Sequence, residues 1–81
     1  MTLTLIGKPD CHLCDDARAV IHSVLADIDG VTLEERSILD DPALHDRYWD
    51  EIPVVLIDGR VHTIWRVDAD RLRTALTAAR A

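Results

Sequence analysis

The run Lys8-Pro9-Asp10-Cys11-His12-Leu13-Cys14-Asp15-Asp16-Ala17 is where the chain changes its backbone period. Ahead of it, Thr2 to Ile6 alternates threonine and leucine before an isoleucine, the pattern of a short strand. Gly7-Lys8-Pro9-Asp10 supplies the break. Beyond it, Leu13, Ala17, Val20, Ile21, Val24, Leu25 and Ile28 recur at helical spacing, with Asp15, Asp16, Arg18, His22 and Ser23 on the other face. Asp10 is the expected helix cap, and Asp15 and Asp16 put negative charge in the first turn, where the helix dipole favours it. Asp29-Gly30 ends the helix.

The rest of the chain follows from this strand-to-helix switch. Val31 to Ile38 reads as a second strand, and its Glu34-Glu35-Arg36 centre makes it a polar edge strand. Asp41-Pro42 places a cap and a first-position proline before a short helix that runs to about Trp49. Tyr48 and Trp49 are expected in the core. Val54 to Ile57 is the most apolar strand, and Asp58-Gly59 predicts a two-residue hairpin turn into a returning strand, Val61 to Trp65. Asp68 caps a last helix whose apolar stripe is Leu72, Ala75, Leu76 and Ala79. His22, His45 and His62 are expected on solvated faces.

The element order is therefore βαβαββα. A helical crossover makes the first two strands parallel, and the hairpin makes the last two antiparallel. The expected architecture is α/β, a four-stranded mixed sheet flanked by helices. With 81 residues, the chain has room for a single domain, 1–81.

Composition narrows the function. Fifteen acidic against nine basic residues give a net charge of −6, and no run of Lys or Arg offers the basic stripe that nucleic acid or an anionic membrane surface requires. The longest apolar run, Ile52 to Ile57, falls far short of the roughly 20 residues that span a bilayer. The N-terminus lacks the basic start, long apolar stretch and cleavage site of a signal peptide. The expectation is a cytoplasmic monomer with neither nucleic-acid nor membrane partners.

Cys11 and Cys14, three positions apart at a helix start, lie on one face at a spacing compatible with a disulfide. In a cytosolic chain beside a strand-helix-strand unit, this pattern reads as a thioredoxin-like redox pair. Cys11 falls near the unpaired N–H groups of the helix N-terminus, which favour a thiolate by about 0.3–2 kcal/mol. Lys8 adds to that effect, whereas Asp10, Asp15 and Asp16 oppose it, so a moderately acidified thiol is expected. His12 has two readings: an imidazolium that stabilises the Cys11 thiolate, or a solvent-facing residue without a role. Zinc on Cys11, His12 and Cys14 would need a fourth ligand that the sequence does not place.

The chain resembles the glutaredoxin branch of the thioredoxin-fold superfamily, in particular the short bacterial glutaredoxin-like proteins. The matching residues are Lys8 to Ala17, then Ile52-Pro53-Val54, then Asp58-Gly59 and finally Val67-Asp68, in order along nearly the whole chain. The resemblance implies a thioredoxin-like fold, a cis Pro53 beside the cysteine pair, and an Ile52 backbone that pairs with the substrate. It also implies that Lys8 and the start of the last helix, around Asp68, hold the two ends of a glutathione. The chain departs from dithiol glutaredoxins in carrying His12-Leu13 for Pro-Tyr, Glu51-Ile52 for Thr-Val, and Arg66-Val67 for the Gly-Gly pair ahead of the last helix.

Topology adds that Trp65 and Arg66 return to the end of the sheet that carries Cys11. There an arginine would receive a carboxylate and a tryptophan would line a groove. Asp10, Asp15, Asp40 and Asp41 lie towards the same end, which favours protein or peptide disulfides over free glutathione. The function expected is thiol–disulfide oxidoreduction, with Cys11 as nucleophile and Cys14 as the more buried, resolving thiol. No cofactor is expected to be tightly bound; a small thiol such as glutathione or mycothiol, or a reductase, is the expected electron donor for the reduction of protein or small-thiol disulfides. The alternatives are a metal or iron–sulfur cluster-binding module and a redox-inert interaction domain.

Overall fold

Leucines at every second position of the first strand point to one side, and that side builds the main core. The structure, a computed structural model, describes residues 1–80. Its elements are β1 (Thr2–Gly7), α1 (His12–Leu25), β2 (Thr32–Ser37), α2 (Pro42–Tyr48), β3 (Val54–Ile57), β4 (Arg60–Ile64) and α3 (Ala69–Arg80). The sheet order is β2-β1-β3-β4, with β1 and β2 parallel and the other pairs antiparallel.

Leu3, Leu5 and Val55 meet Ala17, Ile21 and Val24 of α1 and Leu72 and Leu76 of α3. The opposite side chains of the same strands, Ile6 and Val54, pack with Ile38 and Tyr48, and with Leu44 of α2. Helices α1 and α3 therefore cover one face and α2 the other. Burying each large aliphatic side chain is worth about 1.5–3 kcal/mol, so these two clusters outweigh any surface contact in holding β1 and β3 at the centre.

Several sequence expectations shift. The cap of α1 is Cys11, not Asp10: Asp10 takes a left-handed φ of 58° and turns the chain into the helix. Helix α1 stops at Leu25, short of Ile28, because Asp27 and Ile28 donate to Val24 and Leu25 in tighter, three-residue turns. Ile28 still packs on the core, which is why the apolar period outlasts the helix. Trp49 is not core. In a helix of seven residues only Leu44 and Tyr48, four apart, face the sheet, and Trp49 is rotated outwards and 60% exposed.

Asp58 and Gly59 form the expected two-residue turn, with φ of 48° and 84° and Ile57 opposite Arg60. The Asp58 carboxylate accepts from the Thr2 N–H at 2.8 Å, and the Asp58 N–H donates to the Thr2 carbonyl at 2.8 Å, which laces the turn to the start of β1. Strand β4 ends at Ile64, one residue before Trp65. Its ladder passes from Leu56 opposite Val61 to Val55 opposite Thr63, so His62 is the extra residue of a bulge. This overturns the expectation of a solvated His62: its ring is half-buried at the bulge, and among the described residues the enclosed Nε2 has no hydrogen-bond partner. No helix among the described residues is long and apolar enough to cross a membrane.

Candidate active site

The register of the sheet gathers the candidate residues in one row. Ser37 lies opposite Gly7, and the antiparallel register that sets Ile6 against Val54 carries Pro53 level with Gly7. The Trp65 N–H donates to the Pro53 carbonyl at 2.8 Å and extends the row to the far edge. Ser37, Gly7, Pro53 and Trp65 thus follow one another across the sheet at the end where β1 hands over to α1.

Cys11 and Cys14 are joined as a disulfide across that end, with Cα atoms 5.2 Å apart, inside the usual range. Cys11 is the helix cap, and its Sγ accepts the Cys14 N–H at 3.2 Å. The two sulfurs differ in access: Cys11 is half-buried, whereas Cys14 is fully buried. Gly7 makes room for it. A Cβ at Gly7 would stand 2.8 Å from Cys14 Sγ and 3.2 Å from its Cβ, closer than packed atoms tolerate. Gly7 is thus a site residue that sequence reasoning passed over as mere punctuation. The available signal was its place, a glycine in the last position of a strand that leads into the cysteine pair.

The remaining candidates divide. Lys8 is exposed and lines, with Gly7, Cys14, Arg18, Glu35 and Asp40, a groove of about 470 Å³ on the β2 side. Arg18 bridges that groove by donating to Glu35 and to Asp15, the latter at 2.9 Å. The Glu35 hydrogen bond, followed by that to Asp15, raises the pKa of Arg18 further above its ordinary value. His12 is exposed. Pro53 is buried, and the Ile52–Pro53 bond is cis, the isomer the resemblance implies. Among the described residues, neither backbone polar group of Ile52 takes part in the sheet or in a backbone turn.

Arg66 is exposed and lies with Trp65 on the other flank, against Leu13, Asp16 and Val20 of α1, around a cleft of about 150 Å³. Asp68 caps α3, its carboxylate accepting the Arg71 N–H at 2.9 Å. The structure therefore brings Cys11, Cys14, Pro53, Trp65 and Arg66 to one end, while Asp68 is engaged by its own helix.

A vicinal-type cysteine pair capping the first helix of a β2-β1-β3-β4 sheet, with a cis proline at the start of the third strand, defines a dithiol protein of the thioredoxin fold. Comparison with known proteins sharpens the class. Residues 2–77 match the model of the family described as Glutaredoxin-like domain (DUF836), and the chain belongs to this family. Uncharacterized proteins of Mycobacterium tuberculosis and Mycobacterium bovis are 33% identical over 73 residues, which covers 85% of this chain and 75% of theirs. The X-ray structure of target protein XcR50 from X. campestris superimposes with a TM-score of 0.77 at 38% identity, over 94% of this chain and 96% of that one. Thioredoxin 1 of Thermosipho africanus, at 12% identity, superimposes over 100% of both chains with a TM-score of 0.64 and shares the fold.

Proposed function

We propose that this protein is a thiol–disulfide oxidoreductase in which Cys11 attacks and Cys14 resolves. The observation that carries the reading is the difference between the two sulfurs. Cys11 Sγ is the accessible one and already accepts a helix N-terminal N–H, the contact that stabilises a thiolate. Cys14 is fully buried and lies within disulfide reach of Cys11.

In the reaction, the Cys11 thiolate displaces one thiol from a substrate disulfide R–S–S–R′ and forms a mixed disulfide. The Cys14 thiol loses its proton, attacks Cys11 Sγ and releases the second thiol. The sum is dithiol plus R–S–S–R′ giving the Cys11–Cys14 disulfide plus RSH and R′SH, a transfer of two electrons and two protons. Two molecules of a small thiol, glutathione or mycothiol, return the electrons and leave as their own disulfide. Lys8 contributes positive charge at the rim, and His12 does so when protonated. The backbone of Ile52, unpaired among the described residues and next to cis Pro53, is suited to accept a short extended stretch of substrate. Arg66 offers a cation to a substrate carboxylate, and the Asp68 end of α3 borders that approach. The setting we propose is the cytoplasm, where the thiol pool regenerates the dithiol, with the protein acting as a monomer on protein or small-thiol disulfides.

The test is intact mass after alkylation trapping across a series of glutathione redox buffers. A reversible loss of two protons, absent in Cys11→Ser and Cys14→Ser, is expected. Cys11→Ser should have no disulfide-reductase activity, and Cys14→Ser should accumulate the mixed disulfide. A pair that never links in any buffer, or full activity in Cys11→Ser, would overturn the assignment.

A further inference from the structure

Trp65 occupies a backbone conformation that a bulky side chain disfavours. Its φ is 67°, and the Arg66 N–H reaches back across it to the Ile64 carbonyl at 2.8 Å. This is a γ-turn of the rare, positive-φ kind, which glycine enters freely and other L-residues enter at a cost. The surroundings hold it in place. The Trp65 N–H bonds the Pro53 carbonyl, the indole Nε1–H bonds the Asp50 carbonyl at 3.0 Å, and Thr63 Oγ1 bonds the Arg66 carbonyl at 3.1 Å. So many fixed contacts on a strained residue point to a use for its side chain. The indole is 53% exposed, so that use is not core packing.

The ring instead forms one wall of the 150 Å³ cleft whose other wall is Leu13, Ala17 and Val20 of α1. Leu13 stands between the two cysteines and is itself 36% exposed. We propose, resting on the dithiol reading above, that this cleft is a subsite for one apolar side chain of a polypeptide disulfide. Trp65 is then the residue that makes the protein prefer such a polypeptide to the disulfide of a small thiol.

Three observations fix the occupant. The first is size: a cleft of about 150 Å³ has room for one aliphatic side chain. The second is charge. The cleft's own ionic groups, Asp16 and Arg66, oppose each other and give no net preference for a charged group, while the chain as a whole carries −6 and disfavours an anionic thiol such as glutathione. The third is continuity. Trp65 is hydrogen-bonded to Pro53, so a substrate strand on the Ile52 backbone, which pairs with no described backbone group, runs past the indole, and alternate side chains of that strand point to its two sides.

The test compares three mixed disulfides that share one chromophoric thiol, thionitrobenzoate. The other half is a peptide cysteine flanked by leucines, the same peptide flanked by serines, or glutathione. Reduced protein displaces thionitrobenzoate from each through Cys11, and Cys14 then frees the second thiol, so only recognition differs. The leucine peptide should react about tenfold faster than either of the others at subsaturating concentration, the scale of a small apolar contact. In Trp65→Ala and in Leu13→Ala the ratio between the two peptides should fall towards one, and Trp65→Phe, which keeps an apolar ring, should preserve it. Equal rates for all three substrates, or a ratio unmoved in both alanine variants, would overturn the subsite and leave the dithiol chemistry standing. No reaction with any of the three would overturn the dithiol chemistry itself.

Discussion

The sheet has two edges, and they are built on opposite principles. Strand β2 is regular: six successive residues, Thr32 to Ser37, pair with β1 without interruption, and most of them, Glu34, Glu35 and Arg36 included, are exposed. Strand β4 is irregular, with a bulge at His62 and a positive-φ turn at Trp65 just past its end. An open edge invites pairing with another chain, and proteins discourage this either with charge or with a broken ladder. Here one edge uses the first device and the other uses the second. The lesson is that irregularity can serve two ends, since the distortion that spoils β4 as a template also aims Trp65 over the first helix.

Between these edges lies the central strand β1, which ends at Gly7. Gly7→Val should destabilise the oxidised protein by about 1–3 kcal/mol, the usual scale of overpacking, because its side chain must displace the fully buried Cys14. Urea unfolding reads the loss. A smaller effect sharpens the claim that Trp65 is strained. Alanine there keeps the left-handed backbone and loses the indole hydrogen bond, whereas glycine removes the penalty of about 1–2 kcal/mol. Trp65→Gly should therefore be the more stable of the two by about 1 kcal/mol, and the reverse order would show that the turn carries no strain.

The charged edge should respond weakly. Arg18→Ala removes the ion pair that ties α1 to β2 and a second one within α1, yet all three side chains are well exposed, so the loss should stay below about 1 kcal/mol and shrink with added salt. The bulged edge should respond to pH instead. Burial, and then the charge of Arg71, lower the His62 pKa below its ordinary value of 6.5. The unfolded chain then binds the proton more readily than the folded one. The contribution is complete above pH 6.5 and is lost as pH falls through that value towards the folded pKa. His62→Gln should flatten the fall in thermal midpoint between about pH 7 and pH 5, and an equally steep fall in the variant would remove His62 as its source.

What the amino-acid sequence makes legible follows the same division. Regular elements announce themselves: the Thr–Leu alternation, the 3.6-residue stripe of α1, the Asp41-Pro42 start and the Asp58-Gly59 turn each express one local preference with no competitor. So does the cysteine pair at the head of a helix, which with Pro53 identifies the family. The departures are places where one local rule yields to another. Asp10 is a better capping residue than cysteine, but its backbone is spent on the turn, and Cys11 caps in its place. A bulge leaves no mark in the apolar pattern, so His62 reads as solvated. Trp49 follows Tyr48 by one step, and hydrophobicity alone does not say which of the two faces the sheet. Nothing about a tryptophan suggests the left-handed backbone of Trp65, which hydrogen bonds to distant residues such as Pro53 and Asp50 sustain.

The central position of β1 also has a consequence for the chain as it is made. The strand leaves the ribosome well before its antiparallel neighbour β3, which ends at Ile57, and the buried Leu72 and Leu76 that close over it come later still. At about 5–20 residues per second, several seconds separate its emergence from its burial. For that interval Leu3, Leu5 and Ile6, all buried in the folded protein, lack those partners. The threonines at positions 2 and 4 interrupt what would otherwise be a continuous apolar run, and thereby temper the nascent chain's tendency to associate before its partners arrive.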